Sequence, residues 1–425
     1  HGMPCKRPGI PFHSPVSERK PKNYPSGGKH TMKTDLHDSI FSPNGASYLD
    51  KDASKILLKK RHTGAVYTPK EGERSPGAMY PRAILLQHNG EENGTILCTF
   101  EQYTYDTPVF SIYASEDNGL TWKLRSKVED TQKGWGCRFQ PQLFELPCKC
   151  GELEAGTILC AGNIIPDDFS KTLLHLYKST DGGRTWEFMS EIAAGGPART
   201  DVPELPDPDR PVWEPFLAVN KKNELICFYS DEGYFHSQNC NQLLLHKVSK
   251  DGGYTWGSAV IDVAMPDGVK RPGMPIIAEL PNGQYCMVYE IVNVDSIPVF
   301  FRISDDIENW GDPDFLGNPV RCADGSYITG TPYIIWLNKG GENGTLLVSG
   351  RGYGGILANS NLGKGNWEKL DGMIDVDFNC GFTSYSRCML PIHDGKQLLV
   401  LSPRQINPKL AQIEYAIADV YEKCE

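Results

Sequence analysis

Basic charge is in short supply: 43 Lys and Arg stand against 53 Asp and Glu, a formal net charge of -10. A surface that grips nucleic acid or an anionic membrane needs the opposite balance to neutralise phosphate, so neither is expected as a partner. Long apolar runs are missing too. No stretch approaches the roughly 20 apolar residues of a membrane span, and His1 to Asn23 is basic and Pro-rich, unlike a signal peptide. The paired Cys-x-x-Cys knuckles of a structural zinc site are absent. No metal or other cofactor is expected.

Cysteine is plentiful by contrast, at 13, and N-glycosylation sequons occur at Asn93-Gly94-Thr95 and Asn343-Gly344-Thr345. Together they point to a secreted protein. Cys148 and Cys150 with Cys160, and Cys380 with Cys388, are candidate disulfide partners, although connectivity is not legible in sequence. The odd total leaves at least one thiol unpaired.

One short pattern recurs. Ser115-Glu116-Asp117-Asn118-Gly119-Leu120-Thr121-Trp122 is matched by Ser179 to Trp186 and by Ser249 to Trp256, three copies of Ser-x-Asp-x-Gly-x-Thr-Trp. Degenerate copies follow at Ser304 to Trp310, one residue shorter, and at Ser360 to Trp367, which lacks the Asp. A period of about 55 to 70 residues suits a four-stranded propeller blade. Within each copy the Asp can accept backbone N–H groups of a hairpin turn, the Gly supplies positive φ and the Trp packs the turn onto a neighbouring strand. These aspartates are therefore read as turn caps rather than as catalytic acids or calcium ligands. The pattern resembles the Asp-box repeat of sialidases and related propellers.

Aligned on the repeat, six inner-strand segments appear: YPRAILL (80–86), FQPQLFEL (139–146), VWEPFLAV (212–219), GMPIIAEL (273–280), GTPYIIWL (330–337) and SYSRCMLP (384–391). Each leads through a Gly-bearing turn into a second apolar strand, from TILCTFE (95–101) to QLLVLSP (397–403). The expected fold is all-β, a six-bladed sialidase-like β-propeller over residues 51–425 with an irregular arm over 1–50. A C-terminal strand near Gln412 to Tyr421 is expected to share its blade with an N-terminal strand near Ala53 to Val66, closing the ring and removing open edges.

Antiparallel order puts inner-strand starts and second-strand ends on one face and the Asp boxes on the other. The starts supply Arg82, Gln140, Glu214, Tyr385 and Arg387; the second-strand ends supply Glu101, Asn163, Asp231, Glu290 and Arg351. Polar groups set among apolar strand residues are costly unless partnered or used, which marks this ring as a candidate site. The competing reading pairs Arg82 or Arg351 with Glu101 or Glu290 as a buried ion network sealing the centre.

Trp213-Glu214-Pro215-Phe216, then Arg271-Pro272-Gly273-Met274-Pro275 leading to Met287-Val288-Tyr289-Glu290, resembles the exo-1,5-α-L-arabinanases, the arabinan arabinobiohydrolases. The resemblance implies a retaining hydrolase that releases arabinobiose from the non-reducing end of linear α-1,5-arabinan with two glutamates matching Glu214 and Glu290. Retention requires one carboxylate to attack the anomeric carbon and one carboxylic acid to protonate the leaving oxygen, about 5–5.5 Å apart. Glu214, nearest the axis, is read as nucleophile and Glu290 as acid/base, with the reverse order open. Tyr385, Arg82 and Arg387 are then sugar contacts, and Trp135, Trp213 and Tyr105 are stacking platforms or core aromatics.

An oligo- or polysaccharide is the expected partner, with the protein acting as a monomer. A sialidase remains an alternative, casting Arg82, Arg351 and Arg387 as a carboxylate-binding triad with Tyr385, Glu214 and Asp106, but the Ile-Pro that follows the first arginine in sialidases is missing here. A non-catalytic glycan-binding propeller is another, and it needs no paired carboxylates.

Overall fold

An unbroken apolar run such as ILCAGNII suits a strand covered on both faces. The computed structural model describes residues 53–104, 106–199, 205–295, 297–352, 354–370, 372–375 and 382–423. Ile158–Ile165 is buried at every residue and Ile96–Gln102 at all but its last, each as the second strand of a four-stranded antiparallel sheet.

Among the described residues six such sheets form, arranged as propeller blades. Blade 1 runs from Ala78–Leu85 to Lys123–Val128, blade 2 from Gly136–Glu145 to Glu187–Gly195, and blade 3 from Val212–Val219 to Val260–Val263. Blade 4 runs from Arg271–Glu279 to Asn318–Pro319 and blade 5 from Gly330–Leu337 to Glu368–Leu370. Blade 6 is composite. Cys388–Ile392, Gln397–Asn407 and Leu410–Glu422 are completed on the outside by Ile56–Tyr67, which pairs antiparallel with the C-terminal strand from Ile56 opposite Glu422 to Tyr67 opposite Ile413. The anticipated closure is what the chain adopts; the expected arm over 1–50 lies outside the described residues.

Each sheet contributes to two cores, because successive side chains point to opposite faces. Leu97 packs with Leu143 and Cys160 between blades 1 and 2, whereas its neighbour Cys98 packs with Cys388 and Leu399 between blades 6 and 1. This alternation undoes the disulfide expectation. Cys160 belongs to the core between blades 1 and 2 and Cys150 to the core between blades 2 and 3, and Cys148, Cys150, Cys160 and Cys388 are all free thiols. Cys380 lies outside the described residues.

The Asp boxes are turn caps. In the second copy the Ser179 hydroxyl donates to Asp181 (2.7 Å) while the Thr185 N–H (2.9 Å) and hydroxyl (2.6 Å) donate to the same carboxylate. Trp186 Nε1 reaches back to Ser126 Oγ of blade 1 (3.0 Å), and Trp256 likewise reaches Ser190 of blade 2 (3.0 Å). Burial pushes the Asp181 carboxyl up, but the Thr185 and Ser179 donors and the Arg184 N–H reverse this and bring it down to about 2. Where the box degenerates, other groups substitute. Asn359 accepts the N–H groups of Asn361 and Gly363 (both 2.9 Å) in blade 5, while in blade 4 Ser304 Oγ accepts the Asp306 N–H (3.1 Å) and Asp306 accepts the Glu308 N–H (3.0 Å).

Asp181→Ala is expected to lower the melting temperature, at a cost on the order of 1 kcal/mol for the lost turn cap, with activity per folded molecule unchanged. Thermal melts paired with activity measurements check this; a variant that melts normally but is inactive contradicts it.

Candidate active site

Every inner strand of blades 1 to 5 breaks its ladder at one place. Register shifts fall between Met79 and Arg82, Arg138 and Gln142, Trp213 and Phe216, Gly273 and Ile276, and Gly330 and Tyr333. Inside each break a non-glycine residue is left-handed: Tyr80 (φ +55°), Gln140 (+34°), Glu214 (+64°), Met274 (+57°) and Thr331 (+48°). A proline follows each one. Such conformations cost roughly 1–3 kcal/mol apiece, and bulges re-aim side chains. Here they turn Glu214 toward the axis.

Across the ladder, the residue before each break faces a second-strand end: Met79 faces Glu101, Arg138 faces Asn163, Trp213 faces Ser230, Gly273 faces Glu290 and Gly330 faces Arg351. Three glutamates then bind the next blade. Glu101 accepts the Phe139 N–H (2.5 Å), Glu290 accepts the Thr331 N–H (2.6 Å), and Glu214 accepts the Met274 N–H together with the Ser230 hydroxyl. Both acids of the candidate pair rest on glycine. A methyl on Gly273 would stand 3.2 Å from Glu214 Oε2, and one on Gly330 would stand 2.6 Å from Glu290 Oε2.

Burial and the charge of Glu214 push Glu290 up to about 7, against the Thr331 N–H, Arg271 and Arg351. Burial also raises Glu214, but the Ser230 hydroxyl, the Arg271 charge and the Met274 N–H oppose it. Both carboxyls are raised, Glu290 into the neutral range, while Glu214 has more donors to its ionised form. Burial takes Glu101 to about 8, against the Phe139 N–H and Arg138. Tyr385 rises to about 12 through burial and the negative charge of Glu290.

The ring read from sequence divides in two. Glu214, Glu290, Arg351, Tyr385 and Asp231 are partly exposed, open enough to touch a ligand. Glu101, Asn163, Arg82 and Arg387 are buried. Arg82, expected as a sugar contact, is instead turned inward: it donates to the carbonyls of Pro81 (2.8 Å) and Ser386 (3.2 Å) and lies over Tyr333, tying blade 1 to the base of blades 5 and 6. Arg387 is fully buried with Nη1 on the Gly355 carbonyl (3.2 Å), and Asn163 donates to the Val212 carbonyl of blade 3 (2.8 Å). Arg351 instead lies over the Tyr385 ring, 5.6 Å from its centroid. Asp231 accepts the Gly233 N–H (2.7 Å), and burial raises it to about 6. Trp135 packs against the core between blades 1 and 2. Trp213 is buried at the axis, edge-on to Phe139, and Tyr105 lies outside the described residues.

Sequence reading missed Tyr80, whose ring meets both Tyr385 (5.4 Å) and Phe139 (6.0 Å) edge-on, and it missed Ser230, Glu232 and the placement of Arg271. One signal was present. Proline recurs in the middle of five inner strands, at 81, 141, 215, 275 and 332, where an interior strand tolerates it only at a bulge.

Six blades with a split carboxyl pair at the axis define a propeller of the glycoside hydrolase class. No protein-family model and no curated protein matches the chain. Among solved structures it is similar to the α-L-arabinanase of Penicillium chrysogenum complexed with arabinobiose, at 35% identity over 85% of this chain and 98% of that one, TM-score 0.74. The GH93 α-L-arabinofuranosidase of Fusarium graminearum, also with arabinobiose, matches at 33% identity over the same shares with a TM-score of 0.72. A microbial sialidase at 14% identity, 85% of this chain and 68% of that one, and TM-score 0.55 shares the fold. The chain belongs to the GH93 family of α-L-arabinanases and α-L-arabinofuranosidases.

Gly330→Ala is expected to displace Glu290 and lower kcat/KM about 100-fold or more, and to lower the melting temperature as well because Gly330 sits at φ +152°; unchanged kinetics would contradict the seating of Glu290. Stability carries a second expectation. Glu101 and Glu290 bind protons more tightly folded than unfolded, so between 4.5 and about 8 the native state holds more protons and stability falls as pH rises. Glu101→Gln, which keeps an acceptor for the Phe139 N–H, should flatten that fall. Melting temperatures from pH 5 to 8 report it, and a parallel loss at every pH would refute it.

Proposed function

We propose that the protein is an exo-acting, retaining hydrolase that removes arabinobiose from the non-reducing end of linear α-1,5-L-arabinan, with Glu214 as nucleophile and Glu290 as acid/base. The observation that carries this reading is the coupled pair itself, in which the charge of one glutamate raises the other to about 7. An α-L-arabinanase and an α-L-arabinofuranosidase, each complexed with arabinobiose, support the substrate class.

In the first step the Glu214 carboxylate forms a bond to the anomeric carbon as the glycosidic C–O bond breaks, and the Glu290 proton passes to the leaving oxygen. In the second, Glu290 takes a proton from water, the water oxygen bonds to the anomeric carbon, and Glu214 leaves as carboxylate. Arg351 and Tyr385, partly exposed beside Glu290, are the side chains best placed to bind sugar hydroxyls. Neither step as written calls on a cofactor. A sialidase would need an arginine triad, whereas of the three candidate arginines Arg82 and Arg387 are buried and bonded to backbone carbonyls.

The same reading includes secretion, since the polymer is extracellular and the sequon residue Asn93 is exposed at a turn. It also includes action as a monomer, because one chain completes the ring through its own N-terminal strand.

On linear arabinan kcat/KM should fall as pH rises through about 7, where Glu290 loses its proton. Glu290→Ala should still hydrolyse an activated aryl α-L-arabinobioside and yield, with azide, a glycosyl azide of retained configuration. Glu214→Ala with azide should yield the inverted azide. Exchanged outcomes swap the two roles, and inverted sugar from the unaltered enzyme sinks the retaining mechanism.

A further inference from the structure

Glu232 follows the second strand of blade 3 and is sealed from solvent at 1% exposure. Its Oε1 accepts two hydrogen bonds, from Trp213 Nε1 (2.8 Å) and from Arg271 Nη2 (2.7 Å). Trp213 immediately precedes Glu214. Arg271 opens the blade 4 strand that carries Gly273, the seat of Glu214, and Met274, whose N–H Glu214 accepts. A single carboxylate oxygen thus ties together the two strands that hold Glu214.

The Arg271 side chain, 15% exposed, is the cation that Glu214 and Glu290 share. Arg351 and Tyr385 also face Glu290, Tyr80 and Tyr385 face Glu214, and Asp231, next to Glu232, faces Lys247 and Asp207. Were Arg271 unpaired, its full charge would hold both carboxyls ionised and strip Glu290 of the proton the leaving group needs. Were Glu232 unpaired, its charge would raise Glu214 further. Paired, Glu232 offsets part of the Arg271 charge that the two carboxyls feel.

We propose that Glu232 is a positioning residue of the glycosidase reaction: it neutralises and orients Arg271, so that the mutual repulsion of Glu214 and Glu290 sets their separate protonation, and through Trp213 it fixes the backbone from which Glu214 projects. This rests on the roles given to Glu214 and Glu290 above.

The test is the pH profile of kcat/KM on a short linear arabino-oligosaccharide, whose two limbs report the free enzyme's pair. Glu232→Gln keeps an oxygen for the indole and the guanidinium but removes the negative charge, so both limbs should move to lower pH by about half a unit or more. Arg271→Met removes the positive charge, so both should move to higher pH, and the double variant should restore them. A purely structural role lowers the amplitude and leaves the limbs in place. If Arg271→Met does not fold, the Glu232→Gln shift decides alone, since that variant retains both hydrogen bonds. Limbs that stay put, move the same way in both single variants, or fail to cancel in the double variant overturn the proposal. Parent-level activity in Glu290→Gln would instead overturn the roles on which it rests.

Discussion

A buried glutamate that accepts a backbone N–H from the next blade is the interaction on which the centre of the molecule depends. It occurs between Glu101 and Phe139, Glu214 and Met274, and Glu290 and Thr331, and each donor belongs to a left-handed residue inside a bulge. The bulge takes that N–H out of the sheet ladder, and a buried N–H without an acceptor is costly. The carboxylate has the mirror-image need. One hydrogen bond therefore docks a blade and fixes the direction of a reactive acid.

Such a centre is locally expensive, because left-handed residues and desolvated carboxyls both oppose folding. The opposing contributions lie elsewhere. Six cores between blades bury nearly every second strand, the N-terminal strand closes the ring, and the Asp boxes cap turns on the face away from the acids. Stability is thus built at the periphery and the far face, leaving the axis free to hold groups in unfavourable states of charge. A fold shared with a sialidase at 14% identity therefore does not by itself fix what the axis carries.

Blade number, strand identity and the structural role of Asp117, Asp181 and Asp251 were legible in the sequence, because a turn motif and an apolar run are local. That Glu214 and Glu290 come near each other was legible through their places at strand ends; the roles proposed for them rest on the family likeness. Arg82 was misread for a physical reason. Its place at an inner-strand start predicts a side chain at the axis, but the bulge between Met79 and Arg82 shifts the register and turns the guanidinium into the seam with blade 6. The cysteines were misread because Cys150 and Cys160, close in sequence, lie in the cores on opposite sides of blade 2.

By itself the sequence determined six repeats, an all-β closed ring and the face on which the acids gather, since each follows from patterns within one blade. Only the tertiary structure decided which polar groups meet. The Glu214–Met274 bond spans 60 residues, Glu290–Thr331 spans 41 and Glu101–Phe139 spans 38, and Glu232 joins Trp213 to Arg271 across a blade boundary. The split between two chemically identical carboxyls follows from those meetings: desolvation and neighbouring charge set a proton's affinity, and both are properties of packed space rather than of chain order.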